Sequence, residues 1–168
     1  DPQDNSRIVA ATTMGVFETQ NGGDQWQKRM EGMKEVLMVV ALALDPARPS
    51  IMYAGTSGGV YKTEKRGLWW EKANNGLVPP ELVKSSRALG VTVMQVDPRA
   101  SDTVYAATLD GLYKSTDAAQ SWTRIARSLP DQMISALLLD RSRPDSLYVA
   151  SRAGVHNSTD GGATWKAM

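Results

Sequence analysis

The chain is predicted to be all-β: a β-propeller of about four four-stranded antiparallel blades, the first of them incomplete. Three observations predict this. A set of short strand-like runs recurs four times in 168 residues. One tryptophan of each copy falls at the same place, and a glycine stands in register at the same turn of every copy. The copies run from Arg7 to Trp26, Ser50 to Trp70, Asp102 to Trp122 and Asp145 to Trp165. Successive aligned tryptophans lie 44, 52 and 43 positions apart, a period that belongs to propeller blades or a similar repeat array. One domain, 1–168, is expected, with blades at about 7–30, 36–72, 90–125 and 133–168.

The first strand of each full copy is a nearly continuous apolar run closed by a Pro-rich or charged turn. These runs are 36–45 before Pro46, 90–97 before Pro98 and 133–140 before Arg141. Continuous apolar character suits a strand buried on both faces, and Val91, Val93 and Val96 favour a strand over a helix. The second strand reads Ile8-Val9-Ala10-Ala11, Ile51-Met52-Tyr53-Ala54, Thr103-Val104-Tyr105-Ala106 and Ser146-Leu147-Tyr148-Val149. A tight turn follows in which Gly15, Gly59, Gly111 and Gly154 align, as a reversal at positive φ requires. The third strand starts at Val16, Val60, Leu112 or Val155, and the fourth at the aligned tryptophan. Four strands joined by three antiparallel turns make one blade.

The turn between strands three and four reads Ser/Thr-x-Asp-x-Gly-x-x-Trp and is met best by Ser158, Asp160, Gly162 and Trp165. An oxygen at the third position accepts backbone N–H groups of the turn. Glycine at the fifth admits a left-handed conformation, and the tryptophan is expected to anchor the hairpin to its own blade. Departures are Asn21 and Lys65 at the third position and Ala119 at the fifth.

These residues resemble the Asp-box, or BNR repeat, of sialidases, sortilin-type receptors, xyloglucan-degrading glycoside hydrolases and photosystem II assembly factors. The resemblance covers almost the whole chain. It implies that Asp117 and Asp160 serve structure at the blade periphery. It also implies ligand binding on the face of the glycine turns and blade-to-blade connections, around the central channel. That face carries Lys28, Arg29, Lys34, Arg124, Arg127 and an insertion over about 74–89 with Lys84 and Arg87. Arg29, Lys84, Arg87, Arg124 and Arg127 are the candidate binding residues, a modestly basic rim for an acidic protein surface or an anionic ligand. Ordinary solvated loop charge is the plainer reading of the same residues.

Composition narrows the functions further. Nineteen basic and eighteen acidic residues leave a net charge of +1, no footprint for nucleic acid. There is no cysteine and one histidine, His156, which removes thiolate chemistry and argues against a zinc site. No copy has the ligand spacing of a calcium loop, so neither metal nor cofactor is expected. The longest apolar run, 36–44, is too short to span a membrane. The opening Asp-Pro-Gln-Asp-Asn-Ser is not a secretory leader; a mature, exported chain would look the same, and the compartment stays open.

An enzyme is not expected. The sialidase Phe/Tyr-Arg-Ile-Pro string is replaced by Ser6-Arg7-Ile8-Val9. Glycoside hydrolysis needs two facing carboxylates, and no spacing pairs any of Glu31, Glu35, Glu71, Glu81, Asp110 or Asp131, all assigned to the binding face. The expected function is a non-catalytic scaffold that offers one loop face to a protein partner. The alternative is a glycan-binding module or a fragment of a glycoside-hydrolase-like propeller. Copy one lacks an apolar first strand, which leaves three closures open: a small four-bladed ring, a homodimer sharing a larger ring, or a piece of a longer protein.

Overall fold

A computed structural model describes residues 1–34, 36, 38–77, 90–130, 133–143 and 145–168. Among them the chain forms fifteen strands in four antiparallel sheets and no helix. Blade one has three strands, β1 (Ile8–Thr12), β2 (Gly15–Thr19) and β3 (Gln27–Lys28). Blade two is β4 (Val39–Leu44), β5 (Met52–Thr56), β6 (Gly59–Thr63) and β7 (Glu71–Lys72). Blade three is β8 (Val91–Val96), β9 (Val104–Thr108), β10 (Gly111–Ser115) and β11 (Thr123–Ile125). Blade four is β12 (Ile134–Leu139), β13 (Leu147–Ser151), β14 (Gly154–Ser158) and β15 (Lys166–Ala167). Strand order within each sheet follows chain order, so every neighbour is joined by a hairpin.

The turns form for local reasons. At the glycine turn of blade two, the Thr56 hydroxyl donates to the Gly59 carbonyl at 2.8 Å and accepts the Gly58 N–H at 3.0 Å. Thr12 and Thr108 do the same in blades one and three. Gly59 has φ +105°, and a Cβ there would strike the Asn74 side chain, whose Oδ1 accepts the Val60 N–H. In the outer turn of blade four, Asp160 Oδ1 accepts the Ser158 hydroxyl at 2.7 Å and the Thr164 N–H at 2.9 Å. Asp117 repeats this with Ser115 and Ser121, and Asn21 partly with Thr19 and Gln25. At Lys65 the carboxylate is missing, and the Thr63 hydroxyl alone accepts the Lys65 and Gly67 N–H groups.

The hydrophobic core is three clusters, one at each junction between successive blades. Tyr53 and Val60 of blade two meet Val104, Ala106, Tyr113 and Trp122 of blade three. Tyr53, Tyr61, Tyr105 and Tyr113 are therefore core, Tyr148 is half-buried, and His156 is buried in the same column as Tyr61 and Tyr113.

The tryptophans correct the expectation that each one anchors its own blade. The Trp70 indole donates to the Arg29 carbonyl at 3.1 Å and Trp122 to that of Ala73 at 2.7 Å, both in the preceding blade. Trp165 instead donates to Gly162 of its own hairpin, and Trp26 is exposed. The physical reason is the twist of the sheet: it turns the outer strand relative to the inner three and leaves the residue just before that strand over the neighbouring blade.

Candidate functional site

Strand direction places the glycine turns and blade connections at one end of the molecule. The inner strands β4, β8 and β12 enter from that end, and each carries a β-bulge at its second residue: Val40, Thr92 and Ser135. A bulge leaves one residue out of the ladder and re-aims its side chain. Thr92 uses this to bridge blades, its hydroxyl reaching the Ala107 and Ile134 carbonyls at 3.3 and 3.0 Å. Ser135 donates to the Ala150 carbonyl. Val40 has no hydroxyl and stands 45% exposed.

Beside Val40, exposed Met38 and Leu109 join Thr56, Ser57 and Thr92 around a depression of about 310 Å³ whose walls are nearly all apolar. Four segments build it: the entry to β4, the β5–β6 turn, the entry to β8 and the β9–β10 turn. These three exposed apolar side chains are gathered in one place, where single scattered ones would call for no explanation.

The charged candidates are divided. The Arg29 Nε meets Glu18 Oε2 at 2.8 Å, and Glu18 also takes Arg7 Nε at 2.6 Å, so Arg29 belongs to a buried charge network. Arg124 lies 3.6 Å from Asp110 Oδ2 and donates to the Asp110 carbonyl. Asp110 in turn accepts the Tyr113 hydroxyl at 2.8 Å; burial, reinforced by that bond, pushes the Tyr113 phenol well above its ordinary range. Arg127 is exposed on the same face. Lys84 and Arg87, with Glu35, Glu81 and Asp131, lie outside the described residues.

A second groove, of about 330 Å³, runs between the outer edge of blade two and the outer turn of blade three. Trp69, the one tryptophan outside the repeat column, stands 47% exposed there beside Lys62, Glu64, Glu71, Lys72 and Asn75. Glu71 begins β7 opposite Lys62, at the outer-turn end. That corrects its assignment to the glycine-turn face. Lys62 holds Glu64 at 2.7 Å, and this bond lowers the Glu64 carboxyl below its ordinary value.

Among the described residues, every carboxyl whose titration is displaced is displaced downward, by hydroxyl, backbone, arginine or lysine donors. Among the same residues no three acidic or histidine side chains gather as a metal site, and no helix is long and apolar enough to cross a membrane.

No protein-family model matches the chain, and no curated protein matches it. Solved structures do. An ancestral GH74 enzyme superposes with a TM-score of 0.80 at 22% identity, over 100% of this chain and 23% of that one. YCF48 bound to D1 peptide gives 0.61 at 18% identity, over 96% of this chain and 49% of its own. The extracellular domain of a one-component system from B. thetaiotaomicron gives 0.72 at 16% identity, over 98% and 20%. The chain thus spans less than a quarter of the enzyme's length. At these identities the likeness establishes the fold, a β-propeller of repeated blades.

Proposed function

We propose that the chain is a non-catalytic binding scaffold that presents its glycine-turn face to a protein partner, taking an apolar segment into the depression beside Val40. The observation that carries this reading is the joint exposure of Met38, Val40 and Leu109 in one apolar hollow at that end. The peptide held by a structural neighbour supports a peptide-like ligand. Arg127, exposed at that end, would favour acidic residues flanking the apolar segment, and Arg29, Lys84, Arg87 and Arg124 are the further cations proposed for the same surface. An exported location accords with the extracellular sensor domain among the neighbours.

The test is an array of immobilised extended peptides probed with the chain and with its Val40→Asp and Leu109→Asp variants. Peptides with an apolar centre and acidic flanks should bind, and each variant should lose tenfold or more, roughly what burying one aliphatic side chain supplies. Binding that survives both variants would move the site elsewhere.

One observation favours a second reading. Exposed Trp69 in a polar groove beside Glu64, Glu71 and Asn75 is the arrangement on which a sugar ring stacks. A glycan array would separate the two: retention lost in Trp69→Ala but kept in Val40→Asp would establish glycan binding in place of peptide binding.

A further inference from the structure

Asparagine is followed by glycine at Asn21-Gly22 and at Asn75-Gly76, and the fold treats the two steps oppositely. Such a step is where a side-chain amide is most easily lost. The backbone nitrogen of the glycine, once it has given up its proton, attacks the asparagine Cγ, and glycine obstructs that approach least because it has no Cβ. At Asn21 both reacting groups are held. The Gly22 N–H donates to the Ser6 carbonyl at 2.9 Å, and Asn21 Oδ1 accepts the Thr19 hydroxyl at 2.8 Å and the Gln25 N–H at 3.0 Å. Asn74 is held as firmly: its Oδ1 accepts the Val60 N–H at 2.7 Å and its Nδ2 donates to the Gly58 carbonyl at 3.1 Å. Asn75 and Gly76 are exposed, in the middle of a turn closed by the Leu77 N–H on the Asn74 carbonyl at 2.9 Å. Among the described residues, no acceptor takes the Gly76 N–H and no donor reaches Asn75 Oδ1. The Asn75 amide is tied through Nδ2 alone, to the Gln120 carbonyl at 3.3 Å.

We infer that Asn75 is a site of spontaneous deamidation, by which the folded chain gains a carboxylate and a displaced backbone at the junction of blades two and three. Solvent base takes the Gly76 amide proton, and that nitrogen forms a bond to Asn75 Cγ. The Cγ–Nδ2 bond breaks, and the departing nitrogen takes a proton from water and leaves as ammonia. Water then opens the cyclic imide. Breaking the new bond to Cγ gives aspartate; breaking the original peptide bond gives isoaspartate, whose backbone is longer by the Cβ. No oxidant or reductant is needed.

The position gives this chemistry a consequence. The Asn75 carbonyl accepts the Trp122 N–H at 2.9 Å, and a Cβ on Gly76 would lie 2.5 Å from the Trp122 carbonyl. The turn is therefore the seat of Trp122, whose indole fastens blade three to blade two. In the isoaspartyl product the carbonyl that received the Trp122 N–H becomes the free carboxylate, and the lengthened chain shifts the seat. The new charge also enters the groove that Asn75 lines with Glu64 and Glu71.

Incubation of the 168-residue chain at mildly alkaline pH, followed by peptide mapping for aspartate and isoaspartate, tests this. Asn75 should convert about tenfold faster than Asn21, or more, because hydrogen bonds withhold Asn21 and Gly22 from reaction. In urea those bonds are gone, and the two steps should convert at similar rates. Asn75→Gln should leave this turn unmodified, since the larger ring closes far more slowly. The isoaspartyl fraction, separated by charge and mapping, should unfold at a lower urea concentration than the fresh chain. Conversion in the folded chain as fast at Asn21 as at Asn75 would overturn the inference, as would an Asn75 that stays intact there while converting in urea. An isoaspartyl fraction with the fresh chain's unfolding midpoint would overturn the effect assigned to the Trp122 seat.

Discussion

The indole Nε1 of Trp122 and the carbonyl oxygen of Ala73 lie 2.7 Å apart across the junction of blades two and three. The largest side chain of one blade is thus fastened to the backbone of the blade before it. Propeller cohesion in this chain rests on neighbours as much as on the hydrogen bonds within each sheet.

Truncating that side chain should therefore separate the tryptophan column by position. Trp122→Ala removes a 5%-exposed indole and its interblade bond and should cost about 3–5 kcal/mol. Trp26→Ala, at an exposed site, should cost well under about 1 kcal/mol, and half-buried Trp165 should fall between them. Urea unfolding of the three variants checks the order. Equal losses at Trp26 and Trp122 would contradict the junction geometry.

The outer turns set an acid limit on stability. The Ser121 hydroxyl and its companions lower Asp117 from 3.8 to about 2, and the Thr164 side chain with its own companions lowers Asp160 likewise. A carboxyl lowered in the folded state stabilises the fold above its unfolded value and loses that contribution as pH falls toward the folded one. Thermal midpoints should accordingly decline between about pH 4 and pH 2. In an Asp117→Asn, Asp160→Asn double variant, the part of the decline due to these turns should vanish.

How much of this was legible beforehand follows from how local each feature is. The blades, the glycine turns and the aspartate turns were readable because each is made by residues close in sequence, such as Ser158 with Asp160 and Thr164. The direction of the tryptophans was not, since Trp122 and Ala73 are far apart in the chain and only the stacking of blades joins them. The bulges at Val40, Thr92 and Ser135 carry no glycine or other local mark. The apolar depression draws on four separated segments, each ordinary alone. Arg29 and Arg124 were readable only as loop cations, whereas their acceptors Glu18 and Asp110 come from the register of the hairpins.

Backbone strain in the outer turns gives a pair of opposite expectations. Both central positions of these turns lie at positive φ, at Gly161 and Gly162 in blade four and at Ala118 and Ala119 in blade three. Ala118 is partly exposed with φ +56°, so Ala118→Gly should stabilise by roughly 0.5–1 kcal/mol, relief of strain outweighing the added freedom of the unfolded chain. Gly162→Ala should destabilise by about 1–3 kcal/mol. At φ +95° its Cβ would lie 2.6 Å from Ile125 Cδ1. Denaturant midpoints read both, and a loss on Ala118→Gly would mean that its methyl group packs more than it strains.

The last expectation concerns the charges between blades one and two. Arg7 is 1% exposed and Glu18 3%, and Glu18 bridges Arg7 and Arg29 while Arg7 also meets Asp1 at 2.7 Å and the Pro49 carbonyl at 3.1 Å. Burial raises the Glu18 carboxyl, but the two arginines outweigh it and the net displacement is downward, so the network is ionised at neutral pH. Removing one member of such a network leaves another buried without its counter-charge, which costs about 3–5 kcal/mol. Glu18→Ala should lose that much, and Arg29→Ala less, because Arg29 is 20% exposed and Arg7 would still hold the carboxylate. Replacing both Arg7 and Glu18 with apolar residues of similar size, Arg7→Met with Glu18→Leu, should recover much of the loss. Equilibrium unfolding of the singles and the double in one cycle measures the coupling. A double variant as damaged as Glu18→Ala would mean that these side chains hold the junction through their hydrogen bonds to backbone more than through their charges.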